Sequence, residues 1–286
     1  MVVIQNGVAS AGISELGAEL KSFQKGGREV IWHSDPLVWT GSAPILFPIC
    51  GGLKNDRYRL NGQEYTLEKH GFARKKEFTV EEHSANRAVF LLRDDEETRK
   101  KYPFSFELRV IYELQGDSLH ITYRVENRSA ETMYFSIGSH EAYATPEGVE
   151  DYDVIFPQKE TLKAYQLDGN LLEEHTLPIL YESEVLPLYD KYFIVDALVF
   201  LDLKSRSARL RNRKTGAAVR VDFPDCEYFL LWHKHGTGFM CLEPWCGIQD
   251  SVDADGELKT KPGIRSLAAG GTYQTAHTIT ILNGKE

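Results

Sequence analysis

The 286-residue sequence is short of the features that mark membrane, exported and nucleic-acid-binding proteins. No apolar run approaches the roughly 20 residues that a helix needs to cross a bilayer. The first residues lack a basic stretch followed by an apolar block, so we expect no secretory signal. The formal net charge is −9 and no basic stripe stands out, which argues against nucleic acid as the main partner. We therefore expect a cytoplasmic protein with no membrane partner and no nucleic-acid partner.

Cysteines and metal-binding patterns are also scarce. The sequence contains four cysteines, without any C-x-x-C spacing: Cys50, Cys226, Cys241 and Cys246. In the absence of an export signal we expect these to be free thiols in the core. His233 and His235 form an i, i+2 pair that could bind zinc with a third ligand, but nothing in the sequence supplies that ligand by spacing. Phosphate-binding glycine loops and G-x-S-x-G elbows are absent, and we predict that no metal and no cofactor is required.

Helical patterns are rare, whereas strand patterns fill most of the chain. One short helix is predicted in 94–103, which is acidic at its start, basic at its end and stopped by a proline. Residues 104–114 and 118–127 alternate apolar and polar side chains around a Gly-Asp turn, which predicts a hairpin. Further strands are predicted at 88–93, 133–137, 198–203, 208–210, 218–223, 228–232 and 277–282.

This succession of strands indicates the fold class. Many strands joined by short polar turns favour an all-β fold, a large antiparallel β-sandwich with few short helices. No linker rich in proline, glycine or serine divides the chain, and no short-period repeat is present. We expect a single domain that covers residues 1–286.

One carboxylate stands in an apolar stretch near the end of the sequence. Glu243 follows the alternating residues 239–242 and precedes Pro244, which we expect to end the strand because it has no N–H to donate. A carboxylate held between Leu242 and Trp245 has a raised pKa unless a partner offsets its desolvation. A general base for neutral pH is made in this way, although a structural salt bridge or a solvated strand end would use the same residues.

Other polar side chains stand at turns and strand ends. His70 and Arg74 flank a turn that Gly71 permits, and both can donate hydrogen bonds to hydroxyl groups or to an anion. His140 follows an apolar strand, and Asp196 precedes another. Each feature taken singly has a more common explanation. A turn such as 70–74 is usually solvated, a histidine in the position of His140 is usually structural, and an aspartate in the position of Asp196 is usually a turn residue.

Taken together, these segments form an ordered set that runs through most of the chain. The set consists of Trp39, Pro44-Ile45-Leu46-Phe47-Pro48, His70-Gly71-Phe72-Ala73-Arg74, Ser139-His140, Asp196-Ala197-Leu198 and Leu242-Glu243-Pro244-Trp245. In this order it resembles the aldose 1-epimerase (galactose mutarotase) superfamily, and more closely its bacterial LacX-like branch. The resemblance implies a β-sandwich with a sugar site on a concave sheet face. It also implies an isomerase that interconverts the α and β anomers of a hexose without a cofactor.

The resemblance further implies roles for individual residues. Glu243 would be the general base and His140 the general acid. His70 would bind ring or hydroxyl oxygens of the sugar, Asp196 would bind hydroxyl groups, and Arg74 would border the pocket.

Aromatic residues near these segments are candidates for contact with the sugar ring. Trp245, Trp39 or Tyr143 could stack on the apolar face of a pyranose, and each could equally be a core residue.

One position departs from the family pattern. Many relatives carry an arginine shortly after the Phe-Pro segment, where this chain has Gly52. Lys54, Arg57 or Arg74 would then have to contact the same sugar oxygens, or the choice of substrate would differ.

Three other functions remain open from the sequence. A non-catalytic sandwich could bind or sense carbohydrate with the same pocket. A hexose-6-phosphate 1-epimerase would need a basic cluster, for which Arg74, Lys54 and Arg57 are available. A glycoside hydrolase would need two carboxylates, and only Glu243 stands out. The sequence leaves open which sugar is bound and whether the protein is a monomer or a homodimer.

Overall fold

Strands make up most of the protein in a computed structural model that describes residues 1–284. The strands are β1 Val2–Gln5, β2 Ala9–Ile13, β3 Leu20–Lys25, β4 Arg28–Glu29, β5 Ile45–Leu46, β6 Arg57–Leu60, β7 Gln63–Thr66, β8 Thr79–His83, β9 Arg87–Arg93, β10 Phe106–Gln115, β11 Ser118–Asn127, β12 Met133–Phe135, β13 Ile137–Ser139, β14 Glu141–Ala144, β15 Tyr152–Asp168, β16 Leu171–Pro187, β17 Leu198–Phe200, β18 Ser207–Asn212, β19 Ala218–Asp222, β20 Tyr228–Trp232, β21 Phe239–Cys246, β22 Arg265–Leu267 and β23 Thr272–Leu282. Short 3₁₀ turns lie at Lys54–Asp56, Ala73–Lys75, Val149–Asp151, Asp190–Phe193 and Leu258–Thr260.

These strands build the predicted antiparallel β-sandwich. The large sheet has the order β5-β13-β21-β20-β17-β15-β18-β19-β23-β11-β10-β9-β8, with β14 also beside β21 and β16 beside β15. Strands β1 to β4 form a second sheet, and the pairs β6–β7 and β12–β22 form two small ones. The main apolar core takes side chains from β1 to β3 and from β9 to β11. The predicted hairpin is present as β10 and β11, whose side chains alternate between core and surface.

The predicted helix is also present, as α1 (Glu96–Lys101). Asp95 caps it by accepting a hydrogen bond from the Thr98 backbone N–H, while the Thr98 hydroxyl oxygen accepts from the Asp95 N–H. This capping box satisfies donors that the first turn leaves free. Among residues 1–284, no helix is both long and apolar enough to span a bilayer.

The hairpin of β15 and β16 was not predicted from the sequence. The two strands pair mainly with each other, and β15 joins the large sheet only at Tyr152–Ile155 and Tyr165. Most of β16 is exposed or half-buried without regular alternation, so the sequence shows no period of two. The tip of the hairpin is held by Leu172, which exchanges backbone hydrogen bonds with Asp250 and Val252.

The strand that carries Glu243 differs from the prediction, because it continues past Pro244. β21 is buried throughout and lies between β20 on one side and β13 and β14 on the other. On that second side the ladder is interrupted, since β14 pairs as far as Leu242 and β13 resumes at Trp245. A proline is tolerated in a central strand where the ladder is open.

Candidate active site

The interruption between β13 and β14 places His140 opposite Glu243. The pairs on either side, Gly138 with Trp245 and Glu141 with Leu242, keep one register through the gap. Directly opposed side chains of antiparallel strands lie about 4.5–5.5 Å apart at Cβ. His140 Nε2 is accordingly 3.4 Å from Glu243 Oε2. The sheet register therefore brings the predicted acid and the predicted base together.

Both side chains line a cavity of about 290 Å³. Four other residues predicted for the site also line it: His70, Arg74, Asp196 and Trp245. The cavity is near the lower end of the range for small-ligand sites, about 300–1,000 Å³. It has the size and the polar groups for a molecule as small as a monosaccharide.

Glu243 has no hydrogen-bond partner for either carboxylate oxygen among residues 1–284. Its side chain is only 1% exposed. Burial raises its pKa well above the usual value, Lys69 works against that shift, and Asp196 adds to it. The carboxyl group is therefore protonated more readily than an ordinary glutamate.

The pKa of His140 is shifted in the opposite direction, downward. Burial lowers its pKa to about 3, and the charge of Lys69 acts in the same direction. Its ring is therefore neutral near pH 7, while the raised pKa of Glu243 favours the protonated carboxyl group. Burial thus favours the neutral form of both groups, so a proton shared between them is held more readily by the carboxyl group.

His70 is held in one tautomer by Gly51. The backbone N–H of Gly51 donates to His70 Nδ1 at 3.1 Å, and the backbone N–H of His70 donates to the Gly51 carbonyl at 2.8 Å. Burial lowers the pKa of His70 well below its usual value, so the ring is neutral. Because Nδ1 accepts, Nε2 must carry the hydrogen. His70 therefore offers an N–H donor from the wall of the cavity.

Aromatic rings enclose the two histidines. The ring of Trp245 lies edge-on to His70 at 5.6 Å, and its Nε1 donates to the Ser139 carbonyl at 3.1 Å. The rings of Trp39 and Trp232 lie 5.3 Å and 5.5 Å from His140.

Tyr143 is 1% exposed in the main core and does not line the cavity. Of the two alternatives left open for Tyr143, its position agrees with the core residue.

Two of the predicted polar residues are held by the backbone. Arg74 donates from Nη2 to the Lys69 carbonyl at 3.1 Å, while its buried Nε has no partner within residues 1–284. Asp196 accepts a hydrogen bond from the Ala197 N–H at 2.9 Å.

Three polar lining residues were missed: Lys69, Asn170 and Gln249. Lys69 stands beside His70 in the sequence and could have been found from it. Asn170 and Gln249 come from loops without a pattern and could not.

Lys54 and Arg57 lie outside this cavity, in a separate groove. Lys54 Nζ donates to the Ala254 carbonyl at 3.3 Å, and Arg57 pairs with Glu64 at 2.9 Å. The expectation that Lys54 contacts the substrate is therefore not supported by its position.

The space beside Gly52 is occupied by the tip of the β15–β16 hairpin. A Cβ atom built on Gly52 would lie 2.8 Å from the Cβ of Asn170, which is closer than real contacts allow. An arginine at this position would have to displace Asn170. In this chain the side chain of Asn170, rather than a basic side chain, occupies the space next to Gly52.

One group of described residues has the composition of a metal site. His140, Cys241 and Glu243 each offer a ligand atom, and these atoms lie within 4.8 Å of one another. Two of the three are the predicted acid and the predicted base, so a metal ion there would compete with the proton transfer expected of them. His233 and His235 instead both contact the carboxylate of Asp190, with His233 Nε2 2.8 Å from Asp190 Oδ1.

Comparison with known proteins agrees with this architecture. The family model for aldose 1-epimerase matches residues 1–279. Protein LacX (chromosomal) of Lactococcus lactis subsp. lactis is 37% identical over 297 residues, which cover 99% of each chain. A galactose mutarotase related enzyme from Lactobacillus acidophilus superposes with a TM-score of 0.94 at 35% identity, covering 99% of this chain and 98% of that one. A galactose mutarotase-like protein from Lactobacillus casei ATCC 334 superposes with a TM-score of 0.92 at 30% identity, covering 99% and 100%. The chain belongs to the aldose 1-epimerase family.

Proposed function

We propose that the protein interconverts the α and β anomers of a hexose. The observation that carries this proposal is the opposed pair of Glu243 and His140, 3.4 Å apart in a cavity of monosaccharide size. Opening a pyranose ring requires removal of the C1 hydroxyl proton and delivery of a proton to the ring oxygen. One acceptor and one donor are sufficient for this reaction.

The single proton of the pair suits both directions of the reaction. Glu243 takes the C1 proton while His140 gives its proton to the ring oxygen, the C1–C2 bond rotates, and closure runs the transfers in reverse. Burial favours the proton on Glu243, so it has to move to His140 when the sugar oxygens enter. Because His140 Nε2 is 3.4 Å from Glu243 Oε2, the proton can pass directly from the carboxyl group to the imidazole.

The other lining residues supply contacts that hold the sugar. The Nε2–H of His70 donates to a ring or hydroxyl oxygen, and Asp196 accepts from hydroxyl groups. Trp245 and Trp39 present apolar ring surface, which pyranoses contact through their C–H faces. Arg74 donates at the edge of the cavity.

The test is anomerisation measured by polarimetry or by NMR exchange for Glu243→Gln and His140→Asn. Each change keeps much of the side-chain volume and removes one proton transfer, which is worth about 10²- to 10⁴-fold in rate. Glu174→Gln and His175→Asn, both exposed, are matched controls and should keep the wild-type rate. A Glu243→Gln protein that anomerises sugars at the normal rate would refute the assignment. Sugar binding by a wild-type protein that leaves the rate unchanged would identify a non-catalytic carbohydrate-binding protein instead.

A phosphorylated hexose is the second candidate substrate. Lys69 and Arg74 both line the cavity, and neither forms a salt bridge with a carboxylate anywhere in residues 1–284. The test compares KM for a hexose and its 6-phosphate in Lys69→Ala, Arg74→Ala and the exposed control Lys100→Ala. A phosphosugar substrate predicts that the two cavity variants lose affinity for the phosphate ester selectively. Equal losses for both sugars would exclude this candidate.

We further propose that the reaction needs no metal and takes place in the cytoplasm. The proton transfers use side chains of the protein, and a divalent ion held by His140, Cys241 and Glu243 would block them. Dialysis against a strong chelator should therefore leave the anomerisation rate unchanged. A loss of rate that one divalent ion restores would contradict this prediction.

A further inference from the structure

Cys226 and Cys246 meet at the ends of two neighbouring strands. Cys246 is the last residue of β21, and Cys226 lies two residues before β20, the strand that pairs with β21. Both are buried free thiols, and their sulfur atoms are 3.2 Å apart. A disulfide bond requires about 2.05 Å between the sulfurs, so a combined side-chain movement of about 1 Å would close it. No other two cysteine sulfurs in residues 1–284 make such a contact.

The surroundings favour one thiolate in this pair. The hydrogen bond from the Cys226 thiol lowers the pKa of Cys246 to about 6 in spite of burial, and Thr275 and Tyr273 add to the effect. The same contact, together with burial, raises the pKa of Cys226 well above its usual value. At neutral pH the pair therefore holds one thiolate and one thiol. The thiolate is the form of cysteine that reacts with oxidants.

We propose that Cys226 and Cys246 are a site of reversible oxidation and form an intramolecular disulfide when the protein meets a small peroxide. This proposal does not depend on the anomerase activity. A peroxide is small enough to approach from the side of Cys226, which keeps 5% exposure, whereas Cys246 has none.

The reaction has two balanced steps. The Cys246 thiolate first attacks one oxygen of hydrogen peroxide, so that an S–O bond forms, the O–O bond breaks, and hydroxide leaves and is protonated to water. The Cys226 sulfur then attacks the Cys246 sulfur, the S–S bond forms, the S–O bond breaks, and the oxygen leaves as water with the Cys226 proton. In total, two thiols are oxidised and one peroxide is reduced to two waters.

The bond would join the end of β21 to the segment before β20. Cross-linking residues 226 and 246 closes a loop of about 20 residues, which restricts the unfolded chain and stabilises the folded one. We expect the melting temperature to rise by about 5 °C on oxidation and to return on treatment with dithiothreitol.

The experiment treats the purified full-length protein with one equivalent of hydrogen peroxide and counts free thiols after denaturation. The reduced protein has four cysteines, so two should remain, and peptide mapping without reductant should recover one peptide that links Cys226 to Cys246. Cys226→Ser should retain its remaining thiols under the same treatment, whereas Cys50→Ser should still lose a pair.

Several outcomes would overturn the proposal. These are four free thiols after treatment, sulfinic acid at either residue without a cross-link, or a disulfide that includes Cys50 or Cys241. If Cys226→Ser fails to fold, the linked peptide and the thiol count of the wild-type protein decide the question alone.

Discussion

Glu243 and His140 face each other in the cavity, with 3.4 Å between Glu243 Oε2 and His140 Nε2. Burial shifts the two pKa values in opposite directions, up for the carboxyl group and down to about 3 for the imidazole. At pH values between these two pKa values, the two side chains together hold one titratable proton. Pairs of groups whose environments separate their pKa values in this way are suited to combined acid and base chemistry.

The pH dependence of kcat/KM should follow this single proton. Raising the pH through the elevated pKa of Glu243 removes the proton and lowers the rate, and lowering it toward pH 3 protonates His140 as well and also lowers the rate. The profile should be bell-shaped, with its acid limb far below the ordinary histidine range near 6.5. Circular dichroism at each pH shows whether the protein is still folded, which distinguishes a loss of rate by titration from a loss by unfolding. An acid limb near pH 6.5 would show that His140 titrates as a solvated residue.

His70 offers a test of one hydrogen-bond donor. His70→Asn retains an oxygen near the position of Nδ1 to accept the Gly51 N–H, and asparagine tolerates the left-handed backbone at φ +67°. It removes the Nε2–H that we propose as a donor to the sugar. The variant should fold normally while KM rises by roughly tenfold, the equivalent of about 1.4 kcal/mol and within the usual range for one hydrogen bond.

His70→Gln is the complementary variant. Its amide can place a donor near the position of Nε2, but it cannot accept from the Gly51 N–H, so it should lose stability rather than affinity. If both variants bound sugar as the wild type does, His70 would have no role in binding.

At the scale of the strands, the gap between β13 and β14 determines the site. It allows Pro244 within a central strand and leaves His140 free to face Glu243. Two residues along the same strands, Gly138 pairs with Trp245 and leaves room for its indole, because a Cβ atom on Gly138 would lie 2.8 Å from the ring.

Gly138→Ala should therefore displace Trp245. Overpacking of this kind costs about 1–3 kcal/mol of stability, and the shifted indole should also lower the anomerisation rate. Gly238→Ala is the matched control, since its Cβ would meet the Thr145 carbonyl oxygen at an ordinary 3.5 Å. Calorimetry and the activity assay measure both effects. A Gly138→Ala protein as stable and as active as the control would show that the ring position does not matter.

The β15–β16 hairpin is the second element that shapes the cavity. Its tip brings Asn170 against Gly52, while the backbone of Leu172 is tied to the loop at 250–252. The hairpin thus forms the side of the pocket at which relatives were expected to supply an arginine.

At the scale of the whole molecule, the main core includes residues from Val2 to Ile281. We propose from this continuity that residues 1–286 form a single domain. Thermal unfolding should then be one cooperative transition.

Two probes can test this cooperativity, because all four tryptophans lie in or beside the cavity: Trp32, Trp39, Trp232 and Trp245. Their fluorescence reports that end of the molecule, whereas far-ultraviolet circular dichroism reports all strands. The two melting curves should coincide. A fluorescence transition several degrees below the other would indicate independent units.

The sequence by itself determined the fold class and indicated the family. Alternation along 104–127 predicts a hairpin because side chains of a strand point to opposite faces wherever it lies in the sheet. The isolated carboxylate of Glu243 in an apolar strand indicates a raised pKa for the same local reason. Buried free cysteines also follow from composition and spacing. These properties depend on neighbours in the chain.

Only the tertiary structure decided which groups meet. His140 faces Glu243 through the register of two strands, and His70 takes one tautomer because Gly51 donates to its ring. Lys69 lines the cavity although it was not predicted for the site, whereas Lys54 was predicted to contact the substrate and lies outside the cavity. Contacts of this kind depend on hydrogen bonding between strands and on packing between residues far apart in the chain, and no pattern along the sequence records them.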